Sequence, residues 1–326
     1  MSLDFSPLIS FGILFLVFLP LERLFAIHRQ KVFRPEYGTD VLFFLGQYVL
    51  WNGFVVYLLA WVDHGLDRLP LGSVRDWSTA LPLWAQAIIV VFLCDLGIYW
   101  GHRLQHRIPF LWRFHRVHHT AEHMDWIAAY REHPLDNLYT RSIENLPALL
   151  LGFPLELLAG LIVLRGIWGL VIHSNADIPI GPLKYILGSP RLHHWHHAVG
   201  KGNDCNFANL MPLMDVIFGT YHEPREMPER YGTTEKVSHN YFAQLAAPFL
   251  PQVARRESGR RPRETPSATE SETAAGAAGV SDAGAAAQNR PDSVTATSGA
   301  GSKSTSATSP PCESSSSSEP PTTSPA

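Results

Sequence analysis

Three long apolar runs and a fourth, interrupted one set the pattern of the chain. Residues 7–27, PLISFGILFLVFLPLERLFAI, are apolar over the ~20 residues a helix needs to cross a bilayer. Glu22 and Arg23 fall near the end of this run, where charged heads can reach the interface. It has neither a basic leader nor a small-residue cleavage site, which favours a retained helix over a signal peptide. A second run covers roughly 40–62, DVLFFLGQYVLWNGFVVYLLAWV, and a third 82–101, PLWAQAIIVVFLCDLGIYWG. Trp51, Trp61, Trp84 and Trp100 mostly sit near the ends of these runs, as interfacial aromatics do. The fourth run, 146–172, is broken by Gly152, Pro154, Gly160, Gly166 and Gly169. As one helix it would carry His173 to the membrane side opposite His118. As a broken hairpin of two short helices it would bring His173 back, and irregular backbone at membrane depth is tolerated where protein covers it.

The pattern gives an all-α integral membrane protein with three spans, a broken re-entrant hairpin and a helical cap on one membrane face. Residues 1–81 form an N-terminal transmembrane region and 82–250 the segment that carries the chemistry. Residues 251–326 are Ser, Thr, Ala, Gly and Pro with almost no large apolar side chains, so they cannot offset chain entropy and read as disordered. Truncation near Val253 is expected to leave the chemistry intact.

Charge orients the spans. Arg29, Lys31 and Arg34 follow the first, and Arg103, Arg107, Arg113 and Arg116 follow the third, while residues 63–81 are of mixed sign. The positive-inside rule puts 28–39, 102–145 and the basic run at 255–263 in the cytoplasm and 63–81 outside. A net charge of -3 gives no reason to expect a nucleic-acid partner. Cys94, Cys205 and Cys312 are too far apart in sequence for a CxxC site or a disulfide framework.

Histidine carries the chemical signal. Most of the 16 histidines fall between 102 and 197. His102 and His106 are spaced i, i+4. His115, His118 and His119 are spaced i, i+3, i+4, and His193, His196 and His197 repeat that spacing. On a helix such positions share one face, and neutral imidazole suits zinc, iron, copper or nickel. Eight histidines exceed the roughly three protein ligands of a catalytic zinc, so the count points to two metals. No HExxH is present, which argues against a zinc protease, and carboxylates are too scarce for a glutamate-rich di-iron bundle. Haem ligation between facing spans and loose metal storage or transport remain as alternatives. Against transport, span two has no ionisable group between Val41 and Val62, and span three has only Asp95.

The blocks DLGIYWGHRLQH, LWRFHRVHHTAEHMDW, YREHPLDN, HSNADIPIGPLKYILGSPRLHHWHH and NFANLMPLMDVIFGTY, read in order over about residues 90–222, resemble the fatty acid hydroxylase/sterol desaturase superfamily. That resemblance implies a membrane enzyme with two histidine-held iron ions and O2 as co-substrate. It would hydroxylate or desaturate a lipid with electrons from a separate donor protein, since no haem or flavin reductase pattern is evident. The competing function is a non-catalytic, transition-metal-binding membrane protein.

The resemblance places His102 and His106 in the first family box, His115, His118 and His119 in the second, and His193, His196 and His197 in the third. His173 matches the isolated ligand before the third box, which requires the hairpin and puts the metals and the C-terminus on the cytoplasmic side. His133 matches a further recurrent histidine that is either a ligand or a group behind one. Asp177 stands where some relatives carry another polar residue, sometimes histidine. In the last block Met214 precedes Asp215 where tryptophan is common. Ligating histidines need an acceptor behind the ring; Asp95, seven residues before His102, is the favoured candidate, with Asp136 and Asp215 behind it. His194 is outside the repeated spacing, and is expected to face away and to matter least. The site reading includes no organic cofactor-binding residue.

Overall fold

A computed structural model describes residues 6–200, 204–235 and 237–250, so the 251–326 tail lies outside the described residues. Among the described residues eleven α-helices follow one another: α1 Ser6–Leu24, α2 Tyr37–Gly46, α3 Asn52–Leu66, α4 Gly72–Thr79, α5 Leu83–Arg107, α6 Pro109–His115, α7 Pro134–Leu150, α8 Leu155–His173, α9 Pro190–His196, α10 Leu213–Ile217 and α11 Tyr241–Ala246. Among the described residues there are no strands, only isolated bridges at Ala26–Ala176 and Ala198–Tyr231.

The apolar runs become helices of membrane-crossing length. α1 and α5 are long and apolar enough to span by themselves. The second run is not one straight helix: α2 passes through a π-helical turn at Gln47–Trp51 into α3, with a 43° bend between the two limbs. Leu8, Ile9, Ile13, Leu16 and Val17 of α1 are all more than half exposed. A stripe of large aliphatic side chains facing outward suits lipid rather than water.

The interrupted fourth run is a hairpin, with limbs longer than the sequence pattern suggests. α7 starts at Pro134, well before residue 146, and α8 runs unbroken through Gly160, Gly166 and Gly169. Interior glycine costs a helix only about 1 kcal/mol, which the packing of α8 overrides. The break is confined to residues 151–154. Gly152 takes a left-handed φ of 67°, and an added Cβ there would meet the Arg75 side chain at 2.8 Å. Arg75 donates to the Leu149 carbonyl (3.0 Å) and Ser78 Oγ to that of Leu151 (2.5 Å), so the turn is held by α4. At ~1.5 Å per residue, limbs of 17 and 19 residues cover roughly 26–28 Å.

α7 runs antiparallel along α5. Gln105 donates to Asp136 (2.6 Å), Tyr139 donates to the Gly101 carbonyl (3.4 Å), and an added Cβ on Gly97 would lie 2.7 Å from the Ile143 carbonyl. Deeper still, Val90 and Cys94 pack with Ala148, Leu149, Phe153 and Leu158. At this depth four charges meet. Arg165 of α8 pairs with Asp95 of α5 (2.9 Å) and Glu144 of α7 (3.3 Å), and Glu144 also takes Arg141 (2.7 Å). Buried charges persist where they are paired, and this cluster pins the hairpin to α5. α5 and α8 both end at the opposite end from the Gly152 turn, at the histidines.

Candidate metal centre

The last two turns of α5 carry His102 and His106. Ile108 is extended and Pro109 opens α6, a short helix that ends on His115. Two further residues lead to a 3-10 turn, His118–Thr120. α9 begins where the Ser189 side chain caps the Leu192 N–H; it carries His193 and His196, and His197 is its C-cap. His173 is the last residue of α8. The second motif is thus a helix end followed by a 3-10 turn, not one continuous helical face.

The nine principal histidines form two groups, within each of which one ring nitrogen per residue lies within 4.8 Å of the others. The first holds His102, His106, His115, His119 and His196, the second His118, His173, His193 and His197. Each HxxHH motif is divided between them. The second motif gives its i, i+4 pair, His115 and His119, to the first group and His118 to the second. The third motif does the reverse, sending His196 to the first group and His193 with His197 to the second. The groups adjoin, with the His119 and His197 rings stacked at 4.6 Å between centroids.

Partners behind the rings fix the tautomers. Nδ1–H of His102 donates to the Phe207 carbonyl (2.8 Å), that of His118 to Arg131 (3.2 Å), that of His173 to Gly169 (2.7 Å) and that of His196 to Cys205 (2.8 Å). His115 Nδ1–H donates to Asp136 Oδ2 at 3.0 Å. In all five the proton is behind the ring and the Nε2 lone pair points inward. His102 and His115 therefore face each other, Nε2 to Nε2, at 3.0 Å, and His118 faces His173 in the same way at 3.1 Å. Two lone pairs at that distance repel unless a cation lies between them. Nε2 of His106 and of His196 are buried with no hydrogen-bond partner. Burial pushes His196 down to about 3, and burial with neighbouring imidazoles holds His118, His119, His193 and His197 well below the usual histidine range. Neutral, converging imidazoles are the donor set that a first-row transition metal takes, so these residues fit one metal in each group.

Other positions differ from expectation. His133 is in neither group: its Nδ1 accepts the Leu135 N–H (3.1 Å) and its Nε2–H donates to the Leu245 carbonyl (3.2 Å). Asp95 does not stand behind a histidine, because Arg165 holds it at membrane depth. Asp136, a weaker candidate by sequence, is the carboxylate behind His115. Asp177 pairs with Arg191 (2.8 Å) and touches neither group. Asp215 acts one step back, accepting from the N–H of Phe207 (2.7 Å) and Ala208 (3.0 Å) and from the Thr220 hydroxyl (2.8 Å); it thereby fixes the loop that offers its carbonyl to His102. His194 faces away from both groups, as expected, but it is fully buried and hydrogen-bonded through both ring nitrogens.

Sequence reasoning also missed an ionic scaffold. Arg131, fully buried, donates to Asp40 (2.6 Å) and Glu36 (2.7 Å). Asp40 also takes Arg34 (2.7 Å), which grips both oxygens of Asp125 (2.8 and 2.7 Å). This network fixes the backbone at residue 131, whose carbonyl holds His118. Asp204 Oδ1 lies 3.7 Å from His106 Nδ1 and is a further carboxylate at the first group. The anchors that are backbone carbonyls leave no side-chain signal in the sequence.

Residues 87–220, which contain all nine histidines, match the fatty acid hydroxylase family. The chain is 34% identical over 191 residues to an ornithine lipid hydroxylase of Rhizobium tropici, covering 58% of this chain and 57% of that protein. It is 31% identical over 196 residues to human alkylglycerol monooxygenase, covering 59% of this chain and 40% of that one. Rat methylsterol monooxygenase 1 is 29% identical over 235 residues, covering 66% and 74%. The chain thus spans little more than half of the first of these relatives and two fifths of the second. No solved structure matches it. Over residues 87–220 the chain is thus similar to the fatty acid hydroxylase family, and the relatives it resembles are named as a hydroxylase and two monooxygenases.

Proposed function

We propose that this protein is an O2-dependent oxidoreductase with two iron ions per chain that hydroxylates or desaturates a membrane lipid, whether sterol, fatty acyl or related. The observation that carries the reading is the pair of buried imidazole groups with lone pairs converging at 3.0 and 3.1 Å. The relatives narrow the chemistry: those named are a hydroxylase and monooxygenases of lipids. His102, His106, His115, His119 and His196 would hold one ion and His118, His173, His193 and His197 the other. Iron bound there would supply O2 activation and hydrogen abstraction from an unactivated C–H bond.

The chain's own residues have three tasks. The carbonyls of Phe207, Arg131, Gly169 and Cys205, with Asp136, keep the protons of His102, His118, His173, His196 and His115 behind their rings so that these five Nε2 atoms stay free. Burial of the imidazoles excludes water and keeps them neutral. α5 brings His102 and His106 to the end of a membrane-crossing helix, so a lipid can reach the site from the bilayer without leaving it. Hydroxylation with reduction of the second oxygen atom to water consumes two electrons beyond those of the substrate, as does desaturation. A separate donor protein supplies them in this reading. In this reading the metal site and the C-terminus are cytoplasmic, which the basic residues that follow the first and third apolar runs and the basic run at 255–263 support.

The test compares lipids from cells producing the chain with those from cells producing His118→Ala. The wild-type chain should yield species heavier by one oxygen or lighter by two hydrogens. Identical lipid profiles would sink the reading and leave a metal-binding protein without catalysis.

A further inference from the structure

His194, Tyr231 and His28 belong to neither histidine group, and Tyr231 and His28 lie outside the residues that match the family. The bonds among them nevertheless run in one determined direction. His194 Nε2 faces the carbonyls of His173 (3.3 Å) and Ser174 (3.1 Å). Carbonyls only accept, so the proton is on Nε2 and Nδ1 is the acceptor. The Tyr231 hydroxyl donates to that Nδ1 at 3.0 Å. With its single proton committed, the Tyr231 oxygen accepts from His28 Nε2–H at 2.7 Å.

The backbone around these residues is tied in the same places. Just past His173, the Asp177 N–H donates to the Phe25 carbonyl (2.7 Å) and the Ile27 N–H to that of Asn175 (3.3 Å). The Asn175 side chain closes on His28 from both sides, accepting its N–H (2.9 Å) and donating to its carbonyl (2.7 Å). Just past His197, the Val199 N–H donates to Arg230 (3.0 Å) and the Gly232 N–H to His197 itself (3.2 Å). Segments that leave the second histidine group are thus paired with the exit of α1 on one side and with residues 230–232 on the other. His28–Tyr231–His194 joins those two remote segments across the back of His173.

We propose that His28, Tyr231 and His194 are positioning residues for the second histidine group alone. They fix the ring of His173 against that of His193, whose Nε2 lies 2.9 Å from its own, and so set how tightly that group holds its metal. The first group does not depend on them, since its rings are anchored on Phe207, Asp136 and Cys205. The bridge ends on carbonyl oxygens and delivers no proton to the site, so its effect is one of placement. This inference rests on the two groups being metal sites.

The experiment measures iron per chain and the time course of iron release to an excess of chelator, on the purified full-length protein. Tyr231→Phe removes one oxygen atom and keeps the ring. His194→Leu removes both bonds, while His194→Gln keeps an N–H for the carbonyls and an oxygen for Tyr231. In Tyr231→Phe and His194→Leu, one of the two ions should be released ~10–100-fold faster, the other at the wild-type rate. His194→Gln should stay within a few-fold of wild type. Faster release of both ions together, or of neither, overturns the positioning role. If His194→Leu does not fold, Tyr231→Phe decides by itself. A wild-type chain holding fewer than two ions overturns the two-metal reading instead, so the two failures are distinguishable.

Discussion

His115 shows how a single side chain is committed here. Asp136 takes its Nδ1–H, which leaves Nε2 to face His102 at 3.0 Å and His119 at 3.2 Å. Asp136→Ala should therefore lower metal affinity of the first group ~10–100-fold without removing a ligand, as measured by chelator competition; unchanged affinity would mean that His115 is oriented by something else. His118→Ala and His196→Ala should each abolish turnover and cost one ion, from different groups. Of the nine histidines, the isolated His173 came only from the family resemblance; the other eight were legible from spacing, because i, i+4 and i, i+3, i+4 patterns stand out against a background where histidine is sparse. Their division between two groups was not, since it depends on α6 ending at His115 and on α9 ending at His196. The anchoring carbonyls could not be read at all, being common to every residue. His194, outside the repeat, faces away from both groups as its spacing suggested, and what the spacing did not reveal is its full burial and its bonds to Tyr231 and to the carbonyls of His173 and Ser174.

At the scale of elements, the hairpin of α7 and α8 decides where His173 lands. The glycines and Pro154 correctly signalled a reversal, but only Gly152 adopts the left-handed backbone that a turn of this kind uses. The start of α7 was hidden because its polar first turns, with Asp136 and Asn137, face the histidine end and not lipid. Asp95 was misread for a related reason. Its seven-residue offset from His102 does place it on a shared face of α5, but its partner comes from Arg165, remote in sequence. Arg165→Leu leaves Asp95 buried without its cation and Glu144 with Arg141 alone, and should destabilise the fold by ~3–5 kcal/mol, seen as a lowered unfolding temperature in detergent. A variant that melts with the wild type would show that this cluster does not hold the hairpin.

For the whole molecule, acid sensitivity follows from the buried imidazoles. Burial holds His194 and His196 down to about 3, whereas a histidine in the unfolded chain titrates near 6.5. Between those values the unfolded chain binds protons that the folded chain does not. Stability is fully present above about pH 6.5 and is lost as pH falls below it. The melting temperature of metal-free protein should accordingly drop between pH 7.5 and pH 5.5, and a flat profile would contradict the neutral-histidine assignment. The central claim concerns what these imidazoles hold, and elemental analysis of the purified full-length protein, quantified against chain concentration, tests it most directly. Two iron ions per chain is the predicted result; one ion or none, or zinc filling the sites after expression with iron in excess, would contradict it.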